Sequence, residues 1–140
     1  MDNILINKII KILKENKKII IAYIFGSVAN GKDTNGSDID LAIYVSGKEL
    51  DTFEYLNLKR KLMDVCDREV DIVILNNANP LIKHEIFRDG KKLFSRNEKM
   101  ENNLIVHSLF EYEDMKKYYD LSYKCMITRI RKEVEINGEN

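Results

Sequence analysis

The chain has 140 residues but one proline, two cysteines, two histidines and no net charge. Each scarcity excludes something. Cys66 and Cys125 offer no zinc-binding spacing, and both fall in helical apolar patterns, so they read as buried, reduced thiols. Twenty-three Lys and Arg residues balance 23 Asp and Glu. A dedicated nucleic-acid binder needs a basic excess or face, so direct nucleic-acid binding is not expected. Zero net charge also gives weak colloidal protection, which suits a homodimer or a hetero-oligomer with a partner. No apolar run approaches about 18 residues, so no membrane-spanning helix is expected. The opening "MDNILINKIIKILKENKK" has lysines inside its apolar run and does not read as a signal peptide. A cytoplasmic protein is the expectation. The chain is 44% hydrophobic and 33% charged, with no repeat and no low-complexity segment. That balance fits an ordinary folded domain with its own core.

Strands and helices alternate early, and helix dominates late. Residues 3–16 read as a helix, with Ile6, Ile9, Ile10 and Leu13 at helical spacing and Asp2 or Asn3 to cap it. "IIIAYIF", 19–25, is a β-branched and aromatic run suited to a strand buried on both faces. "DIDLAIYV", 38–45, reads as a second strand. Residues 48–65 read as a helix with Leu50, Phe53, Leu56, Leu62, Met63 and Cys66 close to one face. "EVDIVIL", 69–75, reads as a third strand. Pro80 opens a helix that Asp89–Gly90 stops, and "KKLFS" has the lysines of an edge strand. From Asn97 to Val134 the pattern is helical, either as one long helix or as a hairpin broken near "SLFEYED". The fold class is α/β (α+β): a small mixed sheet with flanking helices. The expected division is residues 1–96 as an α/β domain and 97–140 as a helical extension packed on it or on a partner.

One stretch does not serve folding. In "FGSVANGKDTNGSDIDLAIYV", 25–45, Asp38 and Asp40 stand at the head of a strand whose Ile39, Leu41 and Ile43 face a core. Alternation puts the two carboxylates on the same side, roughly 6–7 Å apart along the backbone. They repel unless a cation lies between them, and hard oxygen ligands suit magnesium. Asp71 is the lone charge inside the third strand and faces away from Val70, Ile72 and Ile74. If that strand neighbours the second, three carboxylates converge, the equipment of two-metal phosphoryl or nucleotidyl transfer. Gly26 and Ser27 follow the first strand and are expected to open a short helix at "SVANG". A helix N-terminus offers backbone N–H groups to a phosphate, Gly26 permits close approach, and the Ser27 hydroxyl can donate one more hydrogen bond.

Gly26–Ser27, ten residues, then Asp38–Ile39–Asp40, with Asp71 on a following strand, resembles the signature of the DNA polymerase β-like nucleotidyltransferase superfamily. With "PLIKHEIFRDGKKLF" in order behind it, the stretch 19–95 resembles the minimal nucleotidyltransferase (MNT) antitoxins of HEPN/MNT toxin–antitoxin systems. The resemblance implies an enzyme that moves AMP from ATP to a tyrosine hydroxyl of a HEPN-type RNase toxin encoded beside it. It implies that Gly26 and Ser27 bind the triphosphate. Asp38 and Asp40 would hold two magnesium ions, and Asp71 would complete the catalytic metal site and help deprotonate the tyrosine. The family pattern Gly-Ser-x-Ala-Arg-Gly carries Asn30 here at the arginine's place, which leaves phosphate charge to Lys32, another lysine or the metal.

Two other readings stand beside this one. The long terminal helix fits an antitoxin that acts by binding alone. A nucleotidyltransferase for a small-molecule hydroxyl is disfavoured, since only about 40 residues remain to hold an acceptor. His84, His107 and the tyrosines 112, 118, 119 and 123 read as packing, surface or interface groups. Arg88 reads as a candidate phosphate or partner contact.

Overall fold

A computed structural model describes residues 2–29, 31 and 36–138. The order is α1 (Asn3–Glu15), β1 (Ile19–Phe25), β2 (Ile39–Val45), α2 (Thr52–Cys66), β3 (Val70–Ile74), a 3-10 turn at Leu75–Asn77, α3 (Pro80–Asp89), β4 (Lys91–Ser95) and α4 (Glu98–Gly138). The strands make one sheet in the order β3-β2-β1-β4. β1 runs antiparallel to β2 and β4, and β2 runs parallel to β3. A parallel neighbour needs a crossover, which α2 supplies. The sheet is therefore mixed, with β4 at an edge, as its lysines require.

Both sheet faces are covered. On one, Ile39, Leu41 and Ile43 of β2 and Val70 and Ile72 of β3 pack with Ile9 and Leu13 of α1 and Leu58 and Leu62 of α2. On the other, Ile21 and Tyr23 of β1 and Ala42 of β2 pack with Ile86 and Phe87 of α3 and Leu104 of α4. Each fully buried Ile or Leu contributes about 1.5–3 kcal/mol. Buried on both faces, the strands hold whatever side chains they carry at their ends in fixed positions.

The caps explain the helix limits. The Asp2 carboxylate accepts from the Ile4 N–H at 3.1 Å and starts α1. The Asp51 carboxylate accepts from the Glu54 N–H at 2.7 Å, so α2 begins at Thr52 rather than near residue 48. The expected apolar face of α2 also changes. Leu58, Leu62 and Cys66 are buried, whereas Phe53 and Leu56 are 79% and 56% exposed. At about 100° per residue, Phe53 and Leu56 lie some 140–160° around the helix from Leu58. At the end of α3, a Cβ on Gly90 would strike the Ile86 carbonyl oxygen, so only glycine fits there.

α4 is one unbroken helix of 41 residues, not a hairpin. Its first turns pack on α3 and the sheet. Beyond Met115 only Ile127 is even half-buried among the described residues. Cys66 is buried as expected, but Cys125 lies on this free part of α4 and is exposed. No helix among the described residues is long and apolar enough to cross a membrane.

Candidate active site

Asp40 and Asp71 are paired. In the parallel β2–β3 ladder they are register partners, flanked by Ile39↔Val70 and Leu41↔Ile72. Adjacent strands lie about 4.8 Å apart, so two carboxylates leave neighbouring backbones on the same face. The flanking isoleucines, Leu41 and Val70 all go to the α1–α2 core, which turns both aspartates to the α3–α4 side. Asp38 precedes β2 by one residue and is exposed, whereas Asp40 is half-buried. Burial raises the Asp40 carboxyl above the ordinary carboxylate range, and the charges of Asp71 and then Asp38 raise it further. The three acids thus act on one another at Asp40.

Gly26 closes the site from β1. Phe25, the last residue of β1, pairs with Asp40 across the antiparallel ladder. Gly26 follows with φ +77°, and a Cβ built on it collides with Oδ2 of Asp40. The positive φ calls for glycine, and any Cβ here would push the Asp40 carboxylate aside. The two halves of the motif therefore touch: the Gly-Ser turn lies against the central carboxylate. Gly26–Ala29 form hydrogen-bonded turns and not the expected helix start. The Gly31 N–H donates to the Val28 carbonyl at 3.4 Å, with φ +70° at Gly31. The left-handed backbone at Gly26 and Gly31 interrupts right-handed helical winding at both ends of the segment. Val28 and Ala29 are buried and anchor it. Asn30 and Lys32 lie outside the described residues.

Among the described residues, no three Asp, Glu, His or Cys side chains are already gathered into a cage for a metal ion. Like charges on Asp38, Asp40 and Asp71 favour separation when nothing positive stands between them.

The remaining candidates have other partners. His84 stacks on Tyr112, ring centroids 3.6 Å apart and planes within 4°, which ties α3 to α4. Arg88 forms an exposed ion pair with Asp89 at 2.8 Å. His107 and the buried Lys83 both reach Glu111 on α4, at 2.6 and 3.2 Å. Burial pushes the Glu111 carboxyl up, but hydrogen bonds and charge from Lys83 and His107 outweigh this and hold it below the usual range.

Sequence reading missed one polar group. The Tyr23 hydroxyl on β1 donates to Glu101 on α4 at 2.5 Å, and Lys92 on β4 donates to the same carboxylate at 3.2 Å. Glu101 is buried. Burial, then the bond to Glu101, raises the Tyr23 hydroxyl well above its usual range and keeps it protonated. The available signal was Tyr23 itself, the only polar side chain in "IIIAYIF".

A small mixed sheet with a Gly-Ser turn against an Asp-x-Asp strand and a third aspartate in register defines a nucleotidyltransferase-type site. Residues 7–99 match the family Polymerase beta, Nucleotidyltransferase, and the chain belongs to that family. It is 36% identical over 89 residues to the protein adenylyltransferase MntA of Shewanella oneidensis, a match spanning 63% of this chain and 63% of that relative. Among solved structures, a crystal structure of a toxin-antitoxin with AMP-PNP contains a chain that superposes with a TM-score of 0.77 at 28% identity. It covers 87% of this chain and 98% of that one. A chain in the complex of tri-AMPylated Shewanella oneidensis HEPN toxin with MNT antitoxin superposes with a TM-score of 0.74 at 25% identity, covering 91% and 99%.

Proposed function

We propose that the chain is a protein adenylyltransferase antitoxin, moving AMP from ATP to a tyrosine hydroxyl of a HEPN-type toxin and thereby silencing it. The observation that carries this reading is the register pairing of Asp40 with Asp71, with Gly26 pressed against Asp40. The similarity to MntA and to chains of toxin-antitoxin complexes supports the choice of nucleotide and acceptor. In this reading residues 1–96 carry the chemistry and 97–140 form a helical extension. A substrate that is ATP also agrees with a cytoplasmic protein.

The donor set fits magnesium. The aspartates present hard oxygens of the kind magnesium takes. Asp38, Asp40 and Asp71 would hold the ions. Bound magnesium would offset the triphosphate charge and polarise the phosphate under attack. The Gly26–Ser27 turn offers backbone N–H groups and the Ser27 hydroxyl to the phosphates. Asp71 accepts the proton of the incoming tyrosine hydroxyl. The tyrosine oxygen bonds to the α-phosphorus, the bond from that phosphorus to the bridging oxygen breaks, and pyrophosphate leaves.

A second reading is favoured by the exposed apolar side chains of α4: neutralisation by binding alone. Co-expression separates the two. An Asp38→Ala/Asp40→Ala variant that folds, binds toxin and fails to restore growth supports transfer. Full rescue of growth by that variant, with no AMP on the toxin, shows that binding suffices.

A further inference from the structure

A groove of about 520 Å³ lies where the first turns of α4 pass the end of β2. Its floor is apolar: the Tyr44 ring of β2 with Met100 and Leu104 of α4. Tyr44 and Leu104 are half-buried and packed against the core between the sheet and α3, so this floor is fixed. Lys99, Asn103 and His107 recur every four residues along one rim of the groove. Tyr44 and Asp40 share a face of β2, roughly 13 Å apart at about 3.3 Å per residue. Ala42 stands between them, buried in one cluster with Ile86 of α3. The packing of α3 thus separates the groove from the aspartates.

The polar groups of the groove select a ligand. No Asp or Glu lines it among the described residues. His107 Nδ1 lies 2.6 Å from Glu111, which also takes the buried Lys83 at 3.2 Å. With Nδ1–H donating to that carboxylate, the neutral ring keeps Nε2 as an acceptor. Asn97 caps α4, its Oδ1 accepting the Met100 N–H at 3.0 Å, and this leaves its Nδ2 to donate. Lys99 supplies a cation, and Asn103 supplies an amide one turn further on. A flat ring suits the aromatic and thioether floor. An exocyclic amine suits the acceptor at His107, and a phosphate suits the lysine and amide. The volume is that of a small-ligand cleft. A helix of another protein needs an apolar seam over several turns, whereas α4 offers only Met100 and Leu104 here. Inorganic pyrophosphate would leave the floor uncovered.

We propose that this groove binds an adenine mononucleotide. The base lies on Tyr44, Met100 and Leu104 with its amine toward His107, and the phosphate meets Lys99 and Asn103. The site is separate from the one that would hold ATP for transfer, and it does not depend on that reading. A nucleotide here touches both β2 and α4, beside the Tyr23–Glu101 bond. It therefore fastens the root of α4 to the sheet, and binding to the folded chain alone raises stability.

The test titrates full-length protein with AMP in the absence of magnesium, by calorimetry and by amide NMR. The expected result is one site, with shifts at Met100, Asn103 and His107 rather than at Gly26 and Ser27. Lys99→Ala/Asn103→Ala changes two exposed residues and should keep the wild-type circular dichroism while AMP affinity falls at least about 10-fold. Asp40→Asn/Asp71→Asn should bind AMP as wild type does. Adenosine lacks the phosphate and inosine monophosphate lacks the amine, so each should bind at least about 10-fold more weakly than AMP. Unchanged AMP affinity in the groove variant, or its loss in the aspartate variant, overturns the proposal. So does adenosine or inosine monophosphate binding as tightly as AMP, or no binding of AMP by wild type at about 1 mM. Loss of toxin affinity in the groove variant, with no AMP bound by wild type, overturns it in favour of a protein contact. The transfer reading fails separately, when toxin bound to wild type never carries AMP.

Discussion

Gly26 and Asp40 are in contact: the backbone of the turn after β1 lies where any side chain would strike the Asp40 carboxylate. In the proposed reading these are the nucleotide and metal halves of the site, joined through the Phe25–Asp40 pairing. Gly26→Ala should accordingly do two things. The positive φ costs about 1 kcal/mol or more, and the displaced carboxylate should lower AMP transfer on the order of 100-fold. Urea denaturation and a transfer assay read these separately. Stability and rate both at wild-type level would remove Gly26 from the site.

The proton affinity of Asp40 gives a pH signature. Its carboxyl is raised by burial and by Asp71 and Asp38. A raised folded-state pKa contributes stability below the unfolded value, and that stability is lost as pH rises through the folded value. Metal-free protein should therefore lose stability from this group as pH climbs above the ordinary 3.8. Magnesium should raise the melting temperature more at pH 7 than at pH 4. In Asp71→Asn, carbon-detected NMR titration should find the Asp40 pKa shifted back down. An unchanged Asp40 titration would mean that Asp71 is not its electrostatic neighbour.

Tyr23, Glu101 and Lys92 fasten α4 to the sheet. Tyr23→Phe removes the hydroxyl and leaves buried Glu101 to Lys92 alone. The expected loss is about 1–3 kcal/mol in urea unfolding. The variant should still bind AMP-PNP, since Tyr23 has no role in the transfer step.

On α2 the two kinds of apolar residue should separate cleanly. Leu62→Ala opens a cavity and should cost about 2–5 kcal/mol. Phe53→Ser touches only solvent and should stay within about 0.5 kcal/mol. A large loss at Phe53 would restore the face expected from periodicity.

What could be read without coordinates depended on how local the signal was. β1 was legible to the residue, because its β-branched run is bounded by Lys17–Lys18 and Gly26. The aspartate face of β2 followed from strict alternation. That β3 pairs with β2 in parallel, and that Asp71 falls opposite Asp40, depends on a crossover no local pattern encodes. α2 misled because it carries apolar side chains around most of its circumference. Cys125 carries the pattern of a core thiol because the α4 stripe keeps its helical spacing beyond the point where the domain stops. Glu101 escaped notice because its partners, Tyr23 and Lys92, lie in other elements.

The central claim is that the aspartates move AMP onto a protein. Purified chain, ATP, magnesium and the toxin encoded beside it should be incubated and the intact toxin weighed by mass spectrometry. Asp40→Asn and Asp71→Asn variants with wild-type circular dichroism should run in parallel. The expected result is toxin heavier by one or more AMP units with wild type and unmodified with either variant. Undiminished AMP on the toxin with both variants, or none with wild type bound to it, would contradict the account.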